Sequence, residues 1–182
     1  KALRAEIERR FPAHGLIGEE YEPVHPDSEF LWTIDPIDGT MNFRHRVPLF
    51  GSILALLHQG RPVVGVIDHA ALRISCSAGS GLGAYCNGER VRCLPAAERI
   101  EDELIATGGR EQFARSGQAG FFDRLFQAHP YVRTYCDCFG HTLAIRGAVG
   151  AMVDFDLHLW DIAATEVLAQ EAGCAFVYVK RP

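Results

Sequence analysis

No run of apolar residues in this chain reaches the roughly 20 that a helix needs to cross a bilayer, and no signal peptide opens it. A basic excess is also absent. The formal net charge is −5, which argues against a nucleic-acid partner and points to a small substrate or a metal as ligand. The six cysteines (Cys76, Cys86, Cys93, Cys136, Cys138 and Cys174) contain no CxxC pair and no framework spacing. They read as reduced thiols of a cytoplasmic protein, with zinc binding by Cys136 and Cys138 as the lesser alternative. No internal repeat or low-complexity linker divides the chain. With 182 residues and 48% hydrophobic content, it can bury a core as one compact domain or two small lobes. Both ends look cut, since the chain begins inside a helical pattern and stops soon after a strand begins, with Lys180-Arg181-Pro182 as a loose tail.

The most informative stretch is Asp35-Pro36-Ile37-Asp38-Gly39-Thr40-Met41-Asn42-Phe43. It follows Phe30-Leu31-Trp32-Thr33-Ile34, an apolar run that reads as a buried strand. That reading places Asp35 at the strand end and Asp38 in the turn beyond. Pro36 pushes Asp35 toward an extended conformation, and Gly39 lets the backbone turn tightly against a ligand. Two carboxylates this close repel unless a cation lies between them. Mg²⁺ takes oxygen ligands and keeps positions open for water and phosphate. The competing reading is an Asp-rich surface turn.

Leu3, Ile7 and Arg10/Phe11 recur at helical spacing, so residues 2–11 read as an amphipathic helix. A short apolar strand, Gly15 to Gly18, runs into Glu19-Glu20, a paired acid that on its own would be solvated surface. Strands are expected at 49–58, 62–68, 72–76, 83–86 and 90–94, with hairpin turns at Gln59-Gly60-Arg61 and Asn87-Gly88. The Gly-rich stretch 79–83 has no helix after it and reads as a turn rather than a phosphate cradle. Further on come a strand at 103–107, a helix over 111–127 broken near Gly117–Gly120, a strand at 131–135, a helix over 139–148 and a strand at 151–155. The last helix opens at Trp160-Asp161-Ile162 and is capped by Gly173. Asp161 in its first turn is a ligand or simply a cap. The order predicts a layered α/β architecture.

Three blocks together resemble the inositol monophosphatase superfamily of metal-dependent, lithium-sensitive phosphatases. They are Gly18-Glu19-Glu20, then Trp32 through Phe43, then Trp160-Asp161-Ile162-Ala163-Ala164 with Glu171-Ala172-Gly173. The resemblance implies a single αβαβα five-layered sandwich, with a metal and phosphate half at about 1–95 and a substrate half at about 96–182. It also implies a homodimer. Family members are longer, which fits the truncated look of both ends. By resemblance, Glu19, Asp35 and the Ile37 carbonyl match ligands of a first metal, and Asp35, Asp38 and Asp161 those of a second. Glu19, Thr40 and Asp38 form the implied catalytic set, in which Glu19 and Thr40 orient and deprotonate the attacking water. The Gly39 and Thr40 amides match a phosphate cradle. Two or three Mg²⁺ ions are implied, with Mn²⁺ as substitute and Li⁺ as inhibitor. A haloacid-dehalogenase site would need a DxD pair, whereas Asp35 and Asp38 stand three apart.

The segment from Arg133 through Cys136-Asp137-Cys138-Phe139 to His141 resembles a block of the histidinol-phosphate phosphatases within that superfamily. Asp137 and Asp154 fall at substrate-side positions, and Asp161 borders the same space. A cationic substrate suits this arrangement, since the histidinol ammonium would pair with Asp137 or Asp154. The competing role for Asp137 is to cap a helix starting at Cys138 or Phe139. His141 reads as a packed helix residue. Histidinol phosphate is thus the expected substrate and inositol-1-phosphate the runner-up. Sugar bisphosphates and a nucleotide bisphosphate come next, and the last is disfavoured for want of a basic patch. A non-catalytic binding role is the alternative of a different class.

Overall fold

The structure is a computed structural model of the chain and describes residues 1–93 and 100–179. Helix α1 (Ala2–Arg10) leads into β1 (Gly15–Gly18) and β2 (Phe30–Asp38). Next come the short α2 (Thr40–Arg44) and the strands β3 (Gly51–His58), β4 (Arg61–His69), β5 (Ile74–Gly79), β6 (Gly83–Cys86) and β7 (Glu89–Val91). The remainder comprises β8 (Ile105–Thr107), α3 (Arg110–Arg115), α4 (Ala119–Ala128), β9 (Val132–Thr134), α5 (Asp137–Ile145), β10 (Ala151–Val153) and α6 (Leu159–Ala172).

Strands β1 to β7 form one seven-stranded sheet in sequence order, parallel only between β1 and β2. A second sheet, ordered β10-β8-β9, is wholly parallel. In the large sheet Leu31, Thr33 and Asp35 stand opposite Leu57, Ala55 and Ile53. That face, with Ile67, Cys76, Ala78 and Ala84, meets Ala163, Ala164, Val167, Leu168 and Ala172 of α6 in the main core. The small residues let the helix approach closely. A Cβ on Gly65 of β4 would stand 2.6 Å from Val167 Cγ1 and 2.7 Å from the Ala164 carbonyl. Helix α5 packs on α6 and on β8 and β10, while α3 and α4 join through ring contacts of Phe113 with Phe121 and Phe122. Helix α1 lies over the opposite face of the large sheet, where its Leu3 and Arg4 share a cavity of about 420 Å³ with Ile34, Pro36 and Ser52. The layers therefore run αβαβα, as the sequence led us to expect. No described helix is long and apolar enough to cross a membrane.

Several expectations need correction. Strand β2 continues through Pro36 to Asp38, because Asp38 pairs with Gly51 beyond a register irregularity. Asp38 thus sits at the strand end rather than in the turn. Helix α5 begins two residues earlier and ends three earlier than expected. Residues 174–179 form no strand, since none of the described strands pairs with them. The strand expected at 90–94 is β7, which starts one residue earlier and ends at Val91, while Leu94 lies outside the described residues, as does the 180–182 tail. The cysteines are not all reduced. Cys76 pairs with Cys86 and Cys93 with Cys174, leaving Cys136 and Cys138 free. Linear spacing hides both bridges. Cys76 and Cys86 are register partners across β5 and β6, and the Cys93 N–H donates to the Ala172 carbonyl at 2.8 Å, bringing the end of α6 to β7.

The Glu171 of the third motif block has a structural task. Its two carboxylate oxygens accept the Gly81 and Gly83 N–H groups at 2.7 Å each, clamping the Gly-rich β5–β6 turn to α6. Hydrogen bonds to a charged group contribute about 1.5–3 kcal/mol each when buried, and less for this half-buried site. Glu171→Ala is expected to cost about 2 kcal/mol and lower the melting temperature by about 4–8 °C, with Glu171→Gln losing about half as much. Calorimetry checks this, and an unchanged melting temperature for Glu171→Ala would rule out the clamp.

Candidate active site

Strands β1 and β2 run parallel and side by side, with Gly18 level with Ile34. The residues that follow, Glu19 and Asp35, therefore emerge together. Asp35 points to the α6 face and is buried, at 3% exposure. Asp38 closes β2 three residues on, and Asp161 stands in the first turn of α6. Asp35, Asp38 and Asp161 each present a carboxylate oxygen within 4.8 Å of the others. Glu19 is exposed and stands outside that group, yet its charge is felt at both Asp35 and Asp161.

Backbone groups fix each acid. The Ile37 N–H donates to Asp35 Oδ1 at 2.9 Å. The Cys138 N–H donates to Asp38 Oδ2 at 2.5 Å, tying α5 to the end of β2. The His158 N–H donates to Asp161 Oδ2 at 2.7 Å. Asp161 is thus both a helix cap and a member of the carboxylate group, so the two sequence readings are compatible. The Thr40 hydroxyl donates to the Ile37 carbonyl at 2.9 Å, fixing that carbonyl next to the acids. Gly39 has φ of 78°, a left-handed conformation that favours glycine. A Cβ there would stand 3.1 Å from the Leu49 carbonyl and 3.2 Å from Asp137 Oδ2.

Burial pushes the Asp35 carboxyl up to about 8, helped by the charges of Asp38 and Glu19. Asp161 rises to about 6, chiefly through burial and against the His158 amide. Among the described residues no lysine or arginine forms an ion pair with Asp35, Asp38 or Asp161. Crowded oxygen donors without a protein counter-charge fit a hard divalent cation such as Mg²⁺. Cys136 and Cys138 belong to no group of three or more metal-ligating side chains among the described residues, where the gathered set is Asp35, Asp38 and Asp161.

On the α5 side, Asp137 is the first helical residue, with φ of 61°. The helix starts one or two residues before the starts a capping Asp137 would need, no side-chain cap bond is made at its N-terminus, and Asp137 Oδ2 faces Gly39. Burial, then Asp38 and Asp154, raise that carboxyl to about 7. Asp154 lies deeper, in contact with His141. Sequence reasoning did not foresee the Cys138 amide on Asp38 or the His141–Asp154 contact, since both depend on α5 crossing between the two sheets.

An acid whose pKa is raised by folding keeps its proton in the fold but not in the unfolded chain. Its stabilising contribution is complete below the unfolded value of about 4. It is lost as pH rises through about 6 for Asp161 and about 8 for Asp35. The chelator-treated protein is therefore expected to lose several degrees of melting temperature between about pH 5 and about pH 8.5, and saturating Mg²⁺ to remove that loss. A pH-independent melting temperature in chelator would contradict the carboxylate geometry.

The profile of the inositol monophosphatase family matches residues 1–182. A histidinol-phosphatase of Chlorobaculum parvum is 36% identical over 177 residues, covering 97% of this chain and 68% of that protein. The Nus factor SuhB of Pseudomonas aeruginosa is 32% identical over 190 residues, covering 95% of this chain and 66% of that protein. The structure of an inositol monophosphatase from Anabaena (Nostoc) sp. PCC 7120 superposes with a TM-score of 0.87 at 30% identity, covering 94% of this chain and 70% of that one. The chain thus spans about two thirds of the length of these relatives. With a family match along its whole length and a fold shared with that family's solved structures, the chain belongs to the inositol monophosphatase family.

Proposed function

We propose that this chain carries the active site of a Mg²⁺-dependent phosphomonoesterase acting on histidinol phosphate. The observation that carries the reading is the group of Asp35, Asp38 and Asp161 oxygens beside the left-handed Gly39 turn, with the Asp137 carboxylate on its far side. Asp35, Asp38, Asp161 and Glu19, with the Ile37 carbonyl, would hold the metal. When bound, the metal supplies charge neutralisation for the phosphate and lowers the pKa of water.

The remaining work belongs to the chain. The backbone N–H groups of Gly39 and Thr40 donate to phosphate oxygens at a turn where Gly39 holds φ of 78°. Glu19 is the exposed acid of the set. It accepts a proton from the attacking water while the Thr40 hydroxyl orients that water, and the Ile37 carbonyl holds Thr40 in place until substrate arrives. Attack in line breaks the bond between phosphorus and the ester oxygen, which takes a proton from solvent water to leave as the alcohol, and no protein nucleophile is used. On the alcohol side, Asp137 pairs with the substrate ammonium. A neutral polyol would leave that half-buried acid uncompensated. The name of the Chlorobaculum parvum relative supports this choice of ester. The likeness to an inositol monophosphatase structure favours inositol-1-phosphate as the second reading.

The test is phosphate release from L-histidinol phosphate and from inositol-1-phosphate, side by side, with and without Mg²⁺. Turnover is expected only with Mg²⁺ (or Mn²⁺), inhibited by Li⁺, and faster on histidinol phosphate. Asp38→Asn is expected to lower kcat by about 10²-fold or more with the circular dichroism spectrum unchanged. Asp137→Ala should raise KM for histidinol phosphate about tenfold and leave inositol-1-phosphate nearly unaffected. Preference for inositol-1-phosphate would overturn the substrate assignment. An Asp38→Asn protein with undiminished turnover would overturn the catalytic one, and a non-catalytic binding role would take its place.

A further inference from the structure

Asp137 and Asp154 both lie on the alcohol side, but their surroundings differ. The Asp154 side chain is 3% exposed, and so is the His141 side chain against it. Asp154 Oδ1 accepts the Phe155 N–H at 2.8 Å. Its Oδ2 lies 3.5 Å from His141 Nε2, within ion-pair distance though long for a hydrogen bond, and neither atom has another partner among the described residues. The second ring nitrogen, Nδ1, lies 3.1 Å from the Thr165 hydroxyl. Thr165 stands one turn beyond Asp161 on α6. The imidazole therefore bridges the metal-bearing helix and the segment after β10.

We propose that His141 is a positioning residue: it ties Asp154 to Thr165 and masks the Asp154 charge, leaving Asp137 as the acid that meets a cationic substrate. Burial alone would push the imidazole pKa down. Asp154 by direct contact, then Asp38 and Asp137 by charge, outweigh that and hold it above its ordinary value. A carboxylate held against a buried imidazole at 3.5 Å, with no opening to solvent, offers less to a second cation than one facing the Gly39 turn. Asp137 has no such partner among the described ion pairs, and its Oδ2 faces the Gly39 turn. The Asp137 half of the inference rests on the histidinol phosphate reading. The His141–Asp154 half stands without it.

Three measurements test it. In wild-type protein, ¹⁵N NMR of His141 at pH 7 should show both ring nitrogens protonated, with the neutral pattern in Asp154→Asn. Asp154→Asn and His141→Gln should each lower the melting temperature, and the double variant should fall well short of the sum. The ratio of kcat/KM for histidinol phosphate over inositol-1-phosphate should drop about tenfold in Asp137→Asn through KM, whereas Asp154→Asn lowers both esters alike and keeps the ratio within about threefold. A neutral His141 in the wild type, or additive melting temperatures, would overturn the pairing. A ratio that drops as far in Asp154→Asn as in Asp137→Asn would put the ammonium on Asp154 instead. If the wild-type enzyme prefers inositol-1-phosphate, the substrate reading fails and with it the Asp137 half, while the NMR and the melting temperatures still decide whether His141 masks Asp154.

Discussion

Mutual repulsion among the carboxylates of Asp35, Asp38 and Asp161 is the constraint on which the rest of the structure depends. Three acids whose oxygens lie within 4.8 Å of one another, one of them almost wholly buried, would separate if the backbone allowed it. The backbone does not. Asp35 and Asp38 are fixed to one strand end by sheet pairing to Ile53 and Gly51. Asp161 is fixed to a helix whose Ala-rich face packs against that same sheet. Pulling the acids apart would mean lifting α6 from the core.

The supporting contacts run in the same direction. Glu171 clamps the far end of α6 to the β5–β6 turn, and the His158 N–H holds the near end's acid in place. Gly65 and the small residues of α6 set the distance between helix and sheet. Helix α5 is joined to the site by the Cys138 N–H on Asp38. A cation entering among the acids would therefore find oxygens already gathered, and its binding would relieve repulsion built into the fold.

Two kinds of acid site coexist within this one region. Around Asp35 the acids crowd together without a basic neighbour, which suits a metal. Around Asp154 a histidine is buried with the acid, which suits a fixed internal pair. Asp137 lies between these environments, raised by burial and by both neighbouring acids, and turned toward the Gly39 cradle. The acids thus grade from a crowded group without a basic neighbour at Asp35 to one lying against a buried histidine at Asp154.

Asp35 and Asp38 were legible in the sequence from a local pattern, whereas Asp161 alone reads equally as a helix cap and Glu19, which stands outside the group the structure gathers, alone reads as solvated surface. An apolar strand run, a Pro-Ile-Asp-Gly turn and a Trp-Asp helix start each declare themselves within a few residues. The layered α/β order, the hairpins at Gln59-Gly60 and Asn87-Gly88 and the helix break at Gly117 were legible for the same reason. Contacts between distant elements were not. The bridges Cys76–Cys86 and Cys93–Cys174 arise from strand register and from the return of α6, neither of which linear spacing encodes. Asp38 was placed in a turn because pairing to Gly51 across the irregularity in β2 depends on a partner strand. His141 reads as an ordinary helix residue until α5 is laid between α6 and the small sheet, where its two nitrogens meet Thr165 and Asp154. The sequence by itself determined which acids exist and where along the chain they cluster. Only the tertiary structure decided which acids share a site and which is matched by a buried base, because charge interactions depend on separation in space and on burial rather than on distance along the chain.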